Sequence, residues 1–330
     1  MAFLSYELIY LTSLGSFRQK FYELFLGLHI FLQAAALVLL WFHHHGSRPY
    51  VGIALGIFLL DRLVFRLCLK VRTLKADLSI LEDGETVLLS ANWQIAAQPA
   101  WRRLLNPHIK SGWKPTEHVF LSVPALAHKH IFQAHPFTIA SAAPASPDAH
   151  AWLNLIIRAH DGFSRDLLRY AQSHHTAEVR VDGPYGSLHA MEMLEASDVA
   201  VVVAGGSGIA VVFPIVWSLL HEDSDRKRRV NLIWVVHDAS HIEWIGQERL
   251  DELRALGLRV IIPSPTRKAG RPDVAQLVQE AVEESQCTPN SKVGVVVSGP
   301  DGMNRSARNA CADLVRTGLD VSVAIEKFGW

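Results

Sequence analysis

One stretch decides the fold: residues 199–210 read Val-Ala-Val-Val-Val-Ala-Gly-Gly-Ser-Gly-Ile-Ala. Its apolar first half is typical of a strand that is buried on both faces of a parallel sheet. Glycines after such a strand let the backbone approach a pyrophosphate, whose charge is favoured by the amino end of the next helix. Val211 stands where the usual dinucleotide motif has its third glycine. Taken alone, the stretch therefore predicts either a nucleotide site or a tight structural turn.

Downstream of this stretch, predicted helices and strands alternate. The helices are predicted at 209–220, 247–256, 274–285 and 303–317, and the strands at 230–236, 259–263, 293–298 and 320–325. This alternation predicts an α/β doubly wound parallel sheet, in which ligands bind at the carboxyl ends of the strands. Ser298-Gly299-Pro300 follows one of these strands, although Gly-Pro by itself also fits a plain turn.

Upstream, residues 74–181 consist of short apolar or β-branched runs that are separated by turn residues. Strands are predicted at 86–90, 118–123, 137–140, 152–158 and 178–181, with one helix at 162–173. Short strands with one helix predict an antiparallel β-barrel. Two short motifs lie here, His135-Pro136-Phe137-Thr138 and Gly183-Pro184-Tyr185-Gly186, and each by itself fits a strand start or a turn.

The N-terminal part of the chain is the most apolar. Between Leu24 and Leu60 the one formal charge is Arg48. The runs 21–42 and 50–69 each contain about 20 residues, which is enough for a helix to cross the ~30 Å apolar core of a bilayer. We therefore predict two membrane spans, and the alternative is a pair of buried helices in a soluble core.

Positive charges lie at the start of the first predicted span and at the end of the second, away from the turn that joins the spans. Arg18 and Lys20 precede the first span, and the end of the second carries Arg62, Arg66, Lys70 and Arg72. The positive-inside rule then predicts that both termini lie in the cytosol and that the turn between the spans lies outside. We expect an integral membrane protein of the plasma membrane whose remaining domains are cytosolic.

The composition excludes several classes of function. The 330 residues hold 32 Lys+Arg and 32 Asp+Glu, so the basic excess that binding to nucleic acid requires is absent. A hydrophobic content of 49% and a charged content of 19% exclude a disordered chain. Cys68, Cys287 and Cys311 lie far apart, which argues against a zinc site or a disulfide framework and favours a reducing compartment.

His29 and His43 are the notable pair on the first predicted span. At about 100° per residue they lie within roughly 40° of one helix face, and at 1.5 Å per residue they lie about 21 Å apart. Ionisable groups at membrane depth usually face a functional interior, and two such histidines suit the ligation of two stacked haems. The alternative is one polar histidine packed between helices and a histidine cluster at the membrane surface.

The order of these motifs along the chain is more specific than any one of them. His-Pro-Phe-Thr, Gly-Pro-Tyr-Gly, Gly-Gly-Ser-Gly-Ile and the terminal Phe328-Gly329-Trp330 occur in the same order in the ferric reductase and NADPH oxidase superfamily, and the chain resembles in particular the fungal ferric-chelate reductases. Tyr22-Glu23-Leu24-Phe25, ahead of His29, resembles the start of the family's fifth membrane helix. The resemblance covers essentially the whole chain and implies a reductase half of the ferredoxin–NADP reductase type.

The resemblance implies the cofactors FAD and NADPH, together with haem b. It implies contacts to the flavin at His135, Pro136, Phe137, Thr138, Gly183, Pro184, Tyr185 and Gly186, and to the FAD pyrophosphate at Gly162, Ser164 and Arg165. It implies contacts to the NADPH pyrophosphate at Gly205, Gly206, Ser207, Gly208 and Ile209, and to the nicotinamide at Ser298, Gly299 and Pro300. Trp330, or else Phe328, would stack on the flavin, and His29 and His43 would each ligate one haem iron.

The resemblance also implies a division into domains. Residues 1–70 would be a partial ferric-reductase-type transmembrane domain, 71–193 an FAD-binding β-barrel domain and 194–330 an NADPH-binding α/β domain. The family has six membrane helices, and each haem takes one histidine from the third and one from the fifth. Because this chain has only what resemble the fifth and sixth, we expect it to be N-terminally incomplete or to need a full-length paralogue or second subunit.

Three positions depart from the family pattern. Residues 113–118 read Trp-Lys-Pro-Thr-Glu-His where the family has Trp-x-Pro-Gly-Gln-His, which predicts a reshaped barrel turn. Ser298 stands where many relatives have cysteine. His237 stands where relatives often have an arginine for the NADPH 2′-phosphate, and the nearby Arg226, Arg228 and Arg229 are either substitutes or part of a solvated loop.

The implied function is that of a membrane-bound oxidoreductase. It would pass electrons from NADPH through FAD, and through haem if haem binds, to a ferric or cupric chelate outside the cytosol. One alternative is an NADPH oxidase that makes superoxide. The other is a truncated, non-catalytic or regulatory membrane protein that retains nucleotide binding.

Overall fold

The computed structural model describes residues 2–43, 45–61, 71–95, 108–126, 134–144, 149–221, 228–286 and 291–326. The chain divides into two compact units, an N-terminal one of residues 1–71 and a larger one that begins at Arg72. The domain boundaries predicted at residues 70 and 193 stay predictions.

The N-terminal unit is helical. It contains α1 (Ala2–Ser13), α2 (Gly15–Lys20), α3 (Tyr22–His43) and α4 (Arg48–Leu59). In α3 the segment Leu24–His43 has a mean hydropathy of 2.1 and is 11% buried, and among the described residues it is the one helix long and apolar enough to cross a membrane. The first predicted span is therefore a helix.

The rest of this unit differs from the sequence prediction in two ways. The helix α1 packs against α3 and was not predicted, because its 12 residues are too few to span a bilayer. The helix α4 covers the beginning of the second predicted span, whose residues 62–69 lie outside the described residues.

The larger unit begins with a curled antiparallel sheet. Its strands are β1 (Val71–Ile80), β2 (Thr86–Gln94), β3 (His118–Ser122), β4 (His135–Thr138), β5 (His150–Arg158) and β6 (Thr176–Tyr185), in the order β4-β3-β6-β1-β2-β5. The two edges approach each other where the Ala140 amide donates to the Asn154 carbonyl oxygen at 2.8 Å. This curled sheet confirms the predicted barrel type.

Strand β1 was missed by the sequence analysis. Leu74, Ala76 and Leu78 are buried and alternate with exposed Lys75 and Asp77. The charged residues interrupt any continuous apolar run, so the strand is visible only as an alternation with period two. The helix α5 (Phe163–Ala171) closes the same core with Phe163, Leu167 and Ala171, which lie on one face of the helix at spacings of four.

The second half of the larger unit is a parallel sheet. Its strands are β7 (Val199–Gly205), β8 (Arg229–Val235), β9 (Arg259–Ile261), β10 (Lys292–Ser298) and β11 (Asp320–Ile325), in the order β11-β10-β7-β8-β9. The helices are α6 (His189–Glu195), α7 (Ile209–His221), α8 (Gln247–Ala255), α9 (Thr266–Ala269), α10 (Val274–Glu284) and α11 (Asp301–Arg316). The predicted doubly wound alternation is confirmed.

The strand order places the candidate site. Strand β7 lies in the centre, with β8 on one side and β10 on the other, and all of these neighbours are parallel. Helix α7 packs on one face of the sheet, and α10 and α11 pack on the other. Because the connections leave β7 and β10 in opposite directions, a crevice forms outside the carboxyl ends of these two strands, where open α/β sheets bind ligands.

Candidate active site

The two turn motifs of the parallel sheet touch each other at this crevice. A Cβ on Gly208 would overlap the carbonyl oxygen of Ser298, and a Cβ on Gly205 would lie 2.9 Å from Pro300 Cδ. The predicted NADPH pyrophosphate motif and the predicted nicotinamide motif therefore form one surface, which we call the glycine junction: Gly205–Gly208 with Ser298–Pro300. The junction depends on the absence of side chains, because the Ser298 carbonyl group fills the space at Gly208 and the side chains of Met303 and Pro300 fill it at Gly205.

The exposed part of the glycine junction fits a pyrophosphate. Gly206 has a φ of +53°, and no atom lies within 4 Å of the position of a Cβ. The turn Gly206–Gly208 receives no hydrogen bond from a capping side chain. The Trp234 indole donates to the Gly206 carbonyl at 3.2 Å and orients this turn. Uncapped backbone amides beside open space at the start of a helix are the usual site for a phosphate group.

Ser298 is engaged inside the protein. Its side chain is buried, and its hydroxyl donates to the Glu326 carbonyl at 2.9 Å, while the Glu326 amide donates to the Val297 carbonyl at 2.9 Å. In this structure the hydroxyl holds the last described residue rather than facing the crevice, and the predicted nicotinamide contact stays a prediction. Phe328 and Trp330 lie outside the described residues, so their predicted flavin stacking also stays a prediction.

Glu326 brings an acid to the same end of the sheet. Burial raises the pKa of its carboxyl group, and the neighbouring charge of His189 acts in the opposite direction. The end of β11 therefore carries a carboxyl group that holds its proton more strongly than an exposed glutamate does.

A second surface forms on the curled sheet where β4, β3 and β6 lie side by side. The register pairs Thr138 with His118, and His118 with Tyr185, so these three side chains share one face. The Tyr185 ring lies 6.1 Å from the His118 ring and 5.6 Å from the Phe120 ring. Burial lowers the pKa of His118. We call His118, Phe120, Thr138 and Tyr185 the aromatic face; sequence analysis missed His118 and Phe120 because they lie outside the short motifs.

The motif His135-Pro136-Phe137-Thr138 divides between two faces of β4. Register pairs Pro136 and Thr138 with the aromatic face, whereas His135 and Phe137 point to the opposite side because side chains alternate along a strand. There the His135 ring stacks on the Phe163 ring at 4.3 Å, and the Phe137 ring lies 6.0 Å from the Phe163 ring. The four residues therefore cannot all contact one flavin ring through their side chains.

The contact with Phe163 brings the start of α5 to β4. Gly162 has a φ of +59° with open space around it, and no side chain caps the helix. The Ser164 hydroxyl accepts from the His160 amide at 3.0 Å, and Arg165 pairs with Asp161 at 3.2 Å. Both predicted side chains are turned onto the preceding loop, so the backbone amides of the first turn are the groups that fit a pyrophosphate.

The turn that departs from the family pattern holds Thr116 in a backbone conformation that favours glycine. Thr116 has a φ of +73°, and its hydroxyl donates to the Ser187 carbonyl at 2.7 Å. A Cβ on Gly186 would lie 3.0 Å from Glu117 Cα, so this turn packs closely on the Gly183–Gly186 turn. The predicted reshaping of this turn stays a prediction, and the hydroxyl contact helps to hold Thr116 at its positive φ.

The arginines named for the 2′-phosphate lie at the wrong end of the sheet. Arg228 donates to the carbonyl oxygens of Ser197 and Glu195 at 3.0 and 2.6 Å, and Arg229 begins β8. Both lie at the amino end of this strand, whereas ligands bind at the carboxyl ends. Arg226 lies outside the described residues.

The sequence analysis missed a different arginine at the carboxyl end. Arg267 follows β9, and its guanidinium lies 3.3 Å from the Asp238 carboxylate, which follows β8. Its backbone amide donates to the His237 carbonyl at 3.1 Å, and the His237 ring lies 3.0 Å from the Thr266 hydroxyl. The basic pair Arg267-Lys268 just after a predicted strand was the signal that could have revealed this position.

The surroundings of His29 do not fit a haem iron in this arrangement. The Ser13 hydroxyl donates to the Ile9 carbonyl at 2.6 Å and lies 3.3 Å from His29 Nδ1, while Gln33 Nε2 lies 3.0 Å from His29 Nε2. Both ring nitrogens of His29 are therefore engaged by polar side chains, and an iron would have to displace one of them. His43 is exposed in the last turn of α3, and its haem role stays a prediction.

Comparison with known proteins agrees with this architecture. Residues 104–189 match the model of an FAD-binding domain, and residues 190–312 match the C-terminal domain of adenylate-forming reductase 03009. Among solved structures, a cytochrome P450 reductase from Amycolatopsis, GcoB, superposes with a TM-score of 0.52 at 18% identity, covering 78% of this chain and 71% of the other. At that identity the likeness concerns the fold alone.

The curated relatives include fungal ferric reductases. The chain is 27% identical over 250 residues to ferric/cupric reductase transmembrane component 7 of Saccharomyces cerevisiae, covering 73% of this chain and 37% of the relative. It is 28% identical over 252 residues to a probable cell surface ferric reductase, kap2, of Aspergillus oryzae, covering 72% of this chain and 32% of the relative. The chain thus spans about a third of the length of these relatives.

A curled antiparallel sheet followed by a doubly wound parallel sheet, with a glycine junction at the switch point, defines the fold of the ferredoxin–NADP reductase-like flavoproteins. Within that class, the fungal relatives are named as ferric reductases. The chain resembles fungal ferric reductases at 27–28% identity, and residues 104–189 match an FAD-binding domain.

Proposed function

We propose that this chain is the reductase part of a membrane-bound ferric- or cupric-chelate reductase that uses NADPH and FAD. The observation that carries the proposal is the contact between Gly205–Gly208 and Ser298–Pro300 at the switch point of the parallel sheet. The relatives are a ferric/cupric reductase and a probable ferric reductase, which supports metal chelates as the final electron acceptors.

The protein's contribution is binding and orientation. FAD, when bound, supplies the chemistry, because it accepts a hydride from a nicotinamide and releases electrons one at a time. The amides of Gly206–Gly208 would hold the pyrophosphate of NADPH, and the amides at the start of α5 would hold that of FAD. The aromatic face would support the isoalloxazine ring with aromatic rings and the Thr138 hydroxyl.

Arg267 would favour NADPH over NADH. The glycine junction marks the pyrophosphate, and the carboxyl end of the next strand is where the ribose lies in such sheets. There Arg267 is 72% exposed beside Asp238, and Lys268 follows it. The Ser240 backbone amide is the main cause that lowers the pKa of Asp238, so this carboxylate offsets one of the two positive charges. The remaining positive charge suits a 2′-phosphate.

Replacing this arginine tests the nucleotide preference. With Arg267→Ala we expect KM for NADPH to rise about tenfold, the effect of losing roughly one charge-assisted hydrogen bond, with KM for NADH little changed. Arg316→Ala is the matched control, because Arg316 is also an exposed arginine paired with an aspartate, Asp313, but lies at the end of α11. Equal effects on the two nucleotides would contradict this role.

The N-terminal unit would anchor the reductase in the plasma membrane with the sheets on the cytosolic side. The long apolar helix Leu24–His43 and the positive residues Arg18 and Lys20 that precede it support this orientation. Haem is left out of the electron route, because both ring nitrogens of His29 contact the polar side chains of Ser13 and Gln33.

The function is tested by an absorbance spectrum of the detergent-purified chain under anaerobic conditions. We expect flavin bands that NADPH bleaches and that a ferric or cupric chelate restores. Flavin that NADPH leaves oxidised would contradict the proposal. Superoxide formation that a ferric chelate does not suppress would indicate an oxidase, absent flavin would indicate the non-catalytic alternative, and a Soret band would reinstate the haem assignment.

A further inference from the structure

A buried polar contact joins the two halves of the larger unit. The Trp244 indole N–H, in the segment that follows β8, donates to Asp83 Oδ2 at 3.1 Å, although the two residues are 161 positions apart. Asp83 lies in the turn between β1 and β2 of the curled sheet. The bond therefore links the half that carries the aromatic face to the half that carries the glycine junction.

The carboxylate of Asp83 is built to stay ionised. Its Oδ1 accepts from the amides of Glu85 and Thr86 at 3.0 and 2.9 Å, and its Oδ2 accepts from the Thr86 hydroxyl at 2.6 Å as well as from Trp244. Burial by itself raises the pKa of Asp83, but the bonds from Thr86, Glu85 and Trp244 outweigh it and lower that pKa. Four converging donors fix the position of the acceptor that Trp244 reaches.

His241 completes this arrangement. Its side chain is 4% exposed, its ring stacks on Trp244 at 4.2 Å, and its Nε2 lies 3.9 Å from Asp83 Oδ2. Its Nδ1 is buried and has no hydrogen-bond partner among the residues that the structure describes. The stack holds the plane of the Trp244 ring so that the indole N–H points at the carboxylate.

Around this contact the two halves meet through apolar side chains. Ile156 and Leu88 of the curled sheet belong to the same cluster as Ile242 and Ile245 of the nucleotide half. Apolar packing is not directional, whereas a hydrogen bond to a fixed carboxylate is. A cavity of about 610 Å³ lies beside the contact, lined by residues of both halves including Trp152, Asn154, Trp244 and Arg249. The polar contact thus lies at the wall of this cavity, between the two halves.

We propose that Asp83, Trp244 and His241 form an interdomain joint that sets the distance between the glycine junction and the aromatic face. Trp244 is a positioning residue in this role, because it acts on the relative placement of the two surfaces and not on the reacting atoms. The effect on rate rests on the proposed function, since hydride transfer from nicotinamide to flavin falls steeply when the reacting atoms are misplaced by about 1 Å.

The test compares two tryptophans. Trp244→Phe keeps a ring on His241 and removes the donor to Asp83. Trp217→Phe is the control, because Trp217 also stacks on a histidine, His221 at 4.1 Å, which lies 3.7 Å from Glu252, but the whole set belongs to the nucleotide half. For Trp244→Phe we expect flavin content and the Kd for NADPH within twofold of the wild type, and a flavin reduction rate at saturating NADPH at least tenfold lower.

A purely structural role for Trp244 would lower the melting temperature and the flavin content without changing the rate of the flavin-loaded fraction. That result, or a rate equal to that of Trp217→Phe, would overturn the proposal.

Hydrogen–deuterium exchange gives a second readout that needs no activity. In Trp244→Phe we expect faster exchange in both 81–87 and 238–246, the two sides of the joint, and no change in either segment for Trp217→Phe. Faster exchange on only one side would overturn the joint. If the wild type binds no flavin, or if NADPH does not reduce it, the proposed function fails while the exchange result still decides the joint.

Discussion

At the carboxyl ends of β7 and β10, Gly205, Gly208 and Gly299 meet where added side chains have no room, whereas at the aromatic face the contacts are between rings, with Tyr185 beside His118 and Phe120. At Gly208 the first surface is closed by the Ser298 backbone, whereas the second surface is made of ring side chains. A side chain added at Gly208 cannot be accommodated locally, because the Ser298 backbone can move only together with the strand that carries it. A ring surface loses its contacts gradually, because each ring is a separate contribution.

The largest effect is expected at Gly208. In Gly208→Ala the new Cβ would overlap the Ser298 carbonyl group, so the two strand ends must separate, at the upper end of overpacking costs or above about 3 kcal/mol. We expect a large loss of folding free energy in urea titration and more than a hundredfold loss of NADPH-dependent flavin reduction.

Gly302→Ala is the control for that change. Gly302 lies in α11 with no atom within 4 Å of its Cβ position, and alanine there should stabilise the helix by up to about 1 kcal/mol. A Gly208→Ala chain as stable as the wild type would mean that the glycine junction is not held as tightly as its contacts indicate.

The next effect is expected at Phe163, whose ring packs in the core of the curled sheet behind the aromatic face. Phe163→Ala would leave a cavity in the core of the curled sheet and remove the stack on His135, lowering the free energy of unfolding by about 3 kcal/mol. Phe163→Leu keeps most of the volume and should cost less than about 1.5 kcal/mol. Equal losses in the two variants, measured by urea unfolding, would refute the idea that ring contacts contribute one by one.

The two surfaces should also respond to pH in opposite directions. Burial lowers the pKa of His118 in the folded state. Below about pH 6.5, the usual pKa of histidine, the unfolded chain therefore binds more protons than the folded chain. The contribution of His118 to stability is thus present above that pH and is lost on acidification. Burial raises the pKa of Glu326, with His189 opposing, so its contribution is present below the unfolded pKa of about 4.3 and is lost as pH rises.

Urea midpoints across pH 4 to 8 measure these two contributions. We expect His118→Phe to flatten the loss of stability between pH 7 and pH 5, and Glu326→Gln to flatten the change between pH 4 and the raised pKa of the folded protein. If the urea midpoints of both variants changed with pH as those of the wild type do, neither His118 nor Glu326 would contribute to the pH dependence of stability.

The smallest effect is expected at Thr116, where a side chain occupies a backbone conformation that favours glycine. Thr116→Gly relieves the strain of a positive φ but loses the bond to Ser187, so the net change should stay within about 1 kcal/mol. Thr116→Ala loses the same bond and keeps the strain. Glycine should therefore be more stable than alanine here by about 1 kcal/mol, and the reverse order in thermal unfolding would contradict the strain.

The nucleotide half was predictable because its signals are local. A strand, a turn and a helix follow one another within a few residues around 199–210 and again around Ser298, and the structure keeps each of these elements within about two residues of the predicted bounds. Glycines that are needed for close backbone approach can be identified directly from the sequence. The contact between the two motifs follows from the parallel order of their strands.

The remaining features depend on contacts between distant segments. The division of His135–Thr138 between two faces follows from its register with β3, and Arg267 reaches Asp238 from a different loop. The bond from Trp244 to Asp83 joins residues 161 positions apart, and no periodicity predicts it. Strand β1 was hidden because charged residues occupy its exposed face.

The contact between Gly208 and the Ser298 carbonyl has an evolutionary consequence. Two segments about 90 residues apart in the sequence share one space, and neither can accept a larger residue unless the other moves. A lineage in which position 208 gains a side chain should therefore also change the turn after β10, so that the two positions vary together. A comparison of related sequences at position 208 and at the turn after β10 would then test this packing constraint without a new structure.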